Sequence, residues 1–270
     1  MMGQERSLSP STIGELKEIA ARYPEARSGL LPMLHLIQSV EGNVTNEGIE
    51  ICAEILGISA AEVSGVATFY TMYKRRPMGE HHVGVCTNTL CAVMGGDLIF
   101  ERLKGHLDVG NDETTEDGKV TLEHIECNAA CDFAPVMMVN WEFFDNQTPD
   151  SAVELVDKLR AGETVQATRG ATITSWREAE RVLAGFEDGL VDEGPAAAGP
   201  SLAGLEIAAE RGWTAPSVDE AKVSTGSTGG ADATADTKTG AAEQADTSRA
   251  ESETKLEESP ADTAKEGEDD

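Results

Sequence analysis

Four of the five cysteines in this chain fall into two pairs, Cys86 with Cys91 and Cys127 with Cys131. The first pair is spaced C-x4-C and the second C-x3-C. Four thiolates on one site suit a zinc ion or an iron–sulfur cluster. Structural zinc usually sits on tight knuckles that let two sulfurs grip one ion. A [2Fe–2S] cluster is larger and needs only two sulfurs per iron, so wider gaps suit it. Spacing alone leaves these two metals level. A redox dithiol and four merely buried thiols remain as weaker readings. A cluster held by four thiolates carries a charge of about −2 when oxidised and about −3 when reduced, and backbone N–H groups must screen it. Thr87-Asn-Thr-Leu90 and Asn128-Ala-Ala130 are small or polar enough to turn sharply and present such groups. Gly95-Gly96 allows the backbone to approach closely.

Each pair begins at the end of a stretch that reads as a β-strand. His82 to Cys86 is a short apolar run, and Val120 to Cys127 alternates Val120, Leu122 and Ile125. Between them, Asp97 to Leu107 has helical apolar spacing. Val136 to Trp141 reads as a third strand. Phe143, Phe144 and a Pro149 turn then lead into a helix from Asp150 to Leu159. The order β, α, β, β, α describes a small α/β sandwich. Its strand ends can lie side by side and bring the four sulfurs together outside the sheet.

The first 80 residues read as helices. Thr12-Ile-Gly-Glu15 and Ser59-Ala-Ala-Glu62 have the capping-box pattern, in which hydroxyl and carboxylate satisfy free backbone N–H groups. One helix follows Thr12 and ends at Tyr23-Pro24. A second lies between Ser28 and Glu41, with Leu30, Leu31, Leu34 and Ile37 inward. A third spans Thr45 to Leu56, with Ile49, Cys52, Ile55 and Leu56 on one side, and a fourth carries Val63, Val66 and Ala67. After Gly162 the signal weakens, although Thr174 to Phe186 can form a helix with Trp176, Val182 and Leu183 as its apolar residues. From Pro216 onward there are 15 Asp+Glu against 5 Lys+Arg, a net of −10, and almost nothing apolar. Such a segment cannot offset its chain entropy by burial and reads as disordered.

The net charge of −28 excludes binding to nucleic acid through phosphates, which needs Lys and Arg, and disfavours anionic lipid. Ala53 to Ser64 has the outline of a helix-turn-helix. Its second helix offers Glu62 and Ser64 where basic or amide side chains should read bases, so two packed helices are the better reading. The most apolar uncharged stretch, Ser28 to Val40, is too short to span a bilayer, and the N-terminus has no secretory pattern. A reducing cytoplasm, and free thiols, are therefore expected. Cys52 lies on an apolar helix stripe and reads as core. His81-His82 reads as exposed at the start of a strand, and His35 and Gln38 as packing residues. Phe69, Tyr70 and Tyr73 suit either a partner surface or the core. No G-x-G-x-x-G nucleotide fingerprint is present.

Several longer stretches resemble a known family. They are Tyr23-Pro24, Leu34-His-Leu-Ile-Gln38, Val66-Ala-Thr-Phe-Tyr70, Val85-Cys-Thr-Asn-Thr-Leu-Cys91, Glu126-Cys-Asn-Ala-Ala-Cys131 and Ala134-Pro-Val-Met-Met-Val-Asn140. Over about residues 10 to 162 the chain is similar to the E subunit of bacterial NADH–quinone oxidoreductase, respiratory complex I, and to the mitochondrial 24-kDa flavoprotein subunit. The resemblance implies one [2Fe–2S] cluster held by Cys86, Cys91, Cys127 and Cys131. It implies an α+β chain with an N-terminal helical bundle (1–80) and a thioredoxin-like [2Fe–2S] ferredoxin domain (81–162). Beyond this family core the chain continues through an extension that can serve a partner (163–215) into the acidic tail (216–270). It further implies a partner subunit that binds FMN and NADH, further complex I subunits, and a peripheral place on the cytoplasmic face of the bacterial inner membrane. Related subunits serve NAD-linked hydrogenases and formate dehydrogenases, which is the alternative assembly. A zinc-stabilised adaptor is the alternative without electron transfer. Two departures from the family pattern stand out: Leu90, where Pro is frequent, and Asn128-Ala-Ala130, where Leu-Gly is frequent between the last two cysteines.

Overall fold

The computed structural model describes residues 8–191, 193–195 and 199–215. The acidic segment 216–270, expected to be disordered, lies outside the described residues. Two compact units divide the chain, Met1–Gly204 and Leu205–Asp270. Of the second, residues 205–215 are described. They comprise the end of helix α9 (Gly199–Glu210) and a short stretch in which Trp213 is exposed.

The first unit opens with helices α1 (Pro10–Ala21), α2 (Leu30–Glu41), α3 (Asn46–Leu56) and α4 (Ala60–Phe69). The first of these starts earlier than the Thr12–Glu15 pattern suggests. Ser9 is the N-cap and accepts from the N–H of Thr12, while Pro10 occupies the first helical position. Proline suits that place because its fixed φ is already helical and the N–H it lacks would have no partner there. The Ser59–Glu62 capping box forms as read, and Thr45 caps α3. Gly42 and Gly57 end α2 and α3 in the left-handed conformation.

The bundle core gathers Leu16, Ile19, Met33, Leu34, Ile37, Ile49, Cys52 and Val63. Leu31, expected inward, is 38% exposed. The packed sides of α2 use Leu30, Met33, Leu34 and Ile37 instead. A later helix, α8 (Trp176–Leu183), packs against α2 and completes this layer from the far end of the sequence. Its buried residues are Trp176 and Glu180, whereas Val182 and Leu183, expected to be apolar contacts, are 38% and 45% exposed.

The sheet has five strands: β1 (His81–Cys86), β2 (Glu113–Thr114), β3 (Val120–Ile125), β4 (Met137–Val139) and β5 (Glu142–Phe144). Their order is β2-β3-β1-β4-β5. The β1/β3 pair is parallel and the other pairs are antiparallel. The β1–β3 crossover is the helix α6 (Gly96–Leu107). Helices α6 and α7 (Pro149–Ala161) share a core with Val83, Val85, Val120, Leu122, Met137 and Val139, the residues on one face of the sheet. The opposite face carries His82 and Glu123. Since β1 is central and covered on both sides, His81 and His82 are buried rather than exposed.

The strand expected over Val136–Trp141 ends at Val139, and β5 follows it as a strand the sequence reading did not include. Asn140 and Trp141 have φ of 51° and 76°, and Val139 pairs with Glu142, so these two residues form a tight hairpin turn. The Asn140 side chain holds the turn, accepting from the N–H of His82 at 2.7 Å and donating to the carbonyl of Thr174 at 2.7 Å.

Candidate metal centre

The parallel pairing of β1 and β3 sets Cys86 opposite Ile125. Both strands therefore end at the same edge, and the chain after each end runs out beside the other. Cys86 is the last residue of β1. Cys91 sits on α5 (Thr89–Val93), a short helix not foreseen in a stretch expected to be a bare turn. Cys127 and Cys131 belong to the loop after β3, and Cys131 opens a single 3-10 turn to Phe133. The four cysteines line one small cleft with Asn128, Ala130 and Val136, about 180 Å³ including its open mouth. Cys86 and Cys91 form its buried wall, and Cys127 and Cys131 are exposed.

The sulfurs of Cys127 and Cys131 are 3.7 Å apart, and the N–H of Ala129 points at the Cys127 sulfur at 3.4 Å. Two thiolates on one tetrahedral metal, each about 2.3 Å from it, stand about 3.7 Å apart. Among the described residues, no three His, Cys, Asp or Glu side chains close on a single point. Burial pushes the Cys86 thiol up to about 11. The backbone N–H of Asn88 opposes this, and the neighbouring Cys91 and Cys127 add to it. Cys131 is raised mainly by its contact with Cys127. Sulfurs that disfavour ionisation of their neighbours are a donor set suited to a cationic metal, whose charge reverses that balance.

Gly96 supplies the closest backbone approach. A Cβ there would overlap the carbonyl oxygen of Cys86 and stand 2.9 Å from that of Cys91. The adjoining Gly95 has φ of 111°, a conformation that L side chains rarely adopt. Cys52 is not part of the group. It is buried in the helical core, and that burial pushes its thiol up to about 12.

Sequence reasoning overlooked the apolar rim beside the cleft. Leu90 and Val93 on α5, and Met94 just after it, are 42%, 80% and 55% exposed. Their i, i+3, i+4 spacing was visible, but it becomes meaningful only once the segment is known to be helical. Phe69 and Tyr70 are likewise exposed, at 77% and 41%, whereas Tyr73 is buried beside His35.

Residues 16–160 match the model of the thioredoxin-like [2Fe-2S] ferredoxin family. Over 219 residues the chain is 59% identical to the E subunit of the NADH-quinone oxidoreductase of Mycobacterium tuberculosis, covering 79% of this chain and 87% of that one. It is 37% identical over 149 residues to the mitochondrial NADH dehydrogenase [ubiquinone] flavoprotein 2 of Dictyostelium discoideum, covering 54% of this chain and 60% of that one. A solved NAD+-reducing [NiFe]-hydrogenase aligns with a TM-score of 0.44 and 17% identity, over 50% of this chain and 23% of that one. The sulfur-lined cleft falls inside the matched segment, which is more than half the sequence, and the chain belongs to the thioredoxin-like [2Fe–2S] ferredoxin family, among the relatives of the NADH-quinone oxidoreductase E subunits.

Proposed function

We propose that this chain is the [2Fe–2S] electron-transfer subunit of an NADH–quinone oxidoreductase, with Cys86, Cys91, Cys127 and Cys131 holding one cluster. The observation that carries this is the single cleft lined by all four cysteines at the shared end of β1 and β3, within the family match. A bound [2Fe–2S] cluster supplies reversible one-electron chemistry. The chain's own contribution is to seat two sulfurs on a buried wall and two at the surface. Electrons can then enter from outside while one side stays away from water. A partner subunit carrying FMN and NADH is the electron source in this reading. The exposed side of α5 gives that partner an apolar surface next to the cleft. Among the described residues no helix is long and apolar enough to cross a membrane, and attachment through other subunits, on the cytoplasmic face, follows from the same reading.

The test is anaerobic reconstitution of the full chain, with iron and acid-labile sulfide counted and an EPR spectrum recorded after reduction. Two irons and two sulfides per chain are expected. Zinc without sulfide overturns the proposal. Copurification with a hydrogenase or formate dehydrogenase catalytic subunit, instead of quinone-linked subunits, moves the same carrier to another assembly.

A further inference from the structure

The two cysteine loops are joined by a side-chain hydrogen bond. The Nδ2 of Asn88 donates to Oε2 of Glu126 at 3.1 Å. Asn88 lies two residues after Cys86, and Glu126 immediately precedes Cys127. Asn88 is also the N-cap of α5, where an Asn side chain would ordinarily accept a bond from the helix's free N–H groups. Ser9, Thr45, Ser59, Thr148 and Ser175 do this at their own helices, and Asn88 does not. Its side chain is turned to the other loop instead. The acceptor is a carboxylate, placed beside four sulfurs that already carry negative charge when they hold iron. Electrostatically that is an unfavourable residue for this spot. It is accounted for if the group has a mechanical task and a task in setting the redox balance.

We propose that Asn88 and Glu126 form a strap across the two ligand loops, fixing the spacing of the sulfur pairs and holding a negative charge next to the cluster so that its reduction potential stays low. The inference rests on the function proposed above. Asn88 and Glu126 are positioning residues, each acting through the cysteine beside it. Glu126→Gln separates the two tasks, because its side-chain carbonyl still accepts from Asn88 while the charge is gone. Asn88→Ala removes the bond and keeps the charge.

The full-length chain and the variants Asn88→Ala, Glu126→Ala and Glu126→Gln are reconstituted without oxygen. Iron release to a chelator and the midpoint potential of the EPR signal are then measured. Asn88→Ala and Glu126→Ala should release iron about fivefold faster, the effect of one hydrogen bond of ordinary net strength. Glu126→Gln should release iron at the wild-type rate and show a more positive potential. Wild-type release from both alanine variants, or an unmoved potential in Glu126→Gln, overturns the strap while the cluster in the unaltered chain stands. An unaltered chain that takes up zinc without sulfide overturns the cluster reading, and the strap with it.

Discussion

Glu180, fully buried on α8, meets His35 on α2 through a hydrogen bond of 2.6 Å between Oε2 and Nδ1. The same oxygen accepts from Gln38 at 2.7 Å, and Oε1 accepts from the indole N–H of Trp141 at 3.1 Å. One carboxylate thus joins α8, the helical bundle and the β4–β5 hairpin. A buried carboxylate is tolerated only when its oxygens are satisfied in this way.

Glu180→Ala should destabilise the apo chain by about 3 kcal/mol, since it leaves several buried donors without an acceptor. Urea unfolding gives the magnitude. Amide exchange should locate the effect first in residues 176–183. A uniform rise in exchange over the whole chain, with α8 no more affected than the sheet, would contradict the role given to this contact.

Glu123 gives the pH dependence. Burial works to raise its pKa, but hydrogen bonds and charge from His82 and Lys74 outweigh it and bring the value down to about 2. The Nζ of Lys74 is 2.6 Å from Oε2, and the Nε2 of His82 is 2.7 Å from it. A folded-state value below the unfolded one means that the carboxylate form stabilises the fold. That stabilisation is complete above the ordinary carboxylate pKa of about 4.3 and is lost as pH falls toward 2. Unfolding of the apo chain followed across this window should show stability dropping with acidification. The Glu123→Gln profile should be flatter there.

How far the sequence reveals these features depends on how local their causes are. The Ser59–Glu62 box is contained within four residues and forms where the pattern predicts, whereas the Thr12–Glu15 pattern lies inside a helix that Ser9 caps. The grouping of the cysteines was legible because each pair follows a strand, and parallel neighbours end at one edge. The metal was not legible from spacing, since zinc and iron share sulfur as a ligand and the distinction came from the surrounding family pattern. The hairpin at Asn140-Trp141 was hidden because an aromatic residue at positive φ is an uncommon choice, stabilised here by side-chain bonds from Asn140 to distant backbone. On α8 the apolar reading named Trp176, Val182 and Leu183, and of these only Trp176 is buried. The buried side is Trp176 and Glu180, and a buried carboxylate is foreseeable only once its donors on α2 and the hairpin are in place.

Gly96→Ala should lower cluster content without unfolding the sheet. The added methyl meets backbone carbonyls of Cys86 and Cys91, which cannot rotate away as a side-chain tip could, so the two residues that present the buried sulfurs must move. Iron and sulfide counts should fall, with the far-UV circular dichroism spectrum retained. A full complement in this variant would show that the Cys86 and Cys91 backbone yields more easily than close packing implies.

Cysteine substitutions separate site from core. Serine at Cys86, Cys91, Cys127 or Cys131 should reduce or abolish the [2Fe–2S] signal. Cys52→Ala should leave iron and sulfide unchanged and lower stability by about 1–2 kcal/mol, the cost of a small cavity in the bundle. Loss of the cluster in Cys52→Ala with the fold intact would mean that the helical core and the cleft are linked in a way their separate packing does not suggest.

In the function proposed above, the apolar side of α5 is the surface offered to the partner. Val93 is 80% exposed within a few residues of Cys91, and Leu90 and Met94 flank it on the same side of the helix. A partner covering these three neighbouring residues would gain from their burial, since apolar area removed from water contributes about 25 cal/mol per Å². Val93→Asp puts a charge into that contact without touching the core. The variant should take up a full cluster by iron and sulfide count, yet bind the flavin-carrying subunit at least tenfold more weakly in a titration of the two purified chains. Unchanged binding would place the interface elsewhere, with the exposed Phe69 and Tyr70 as the next surface to substitute.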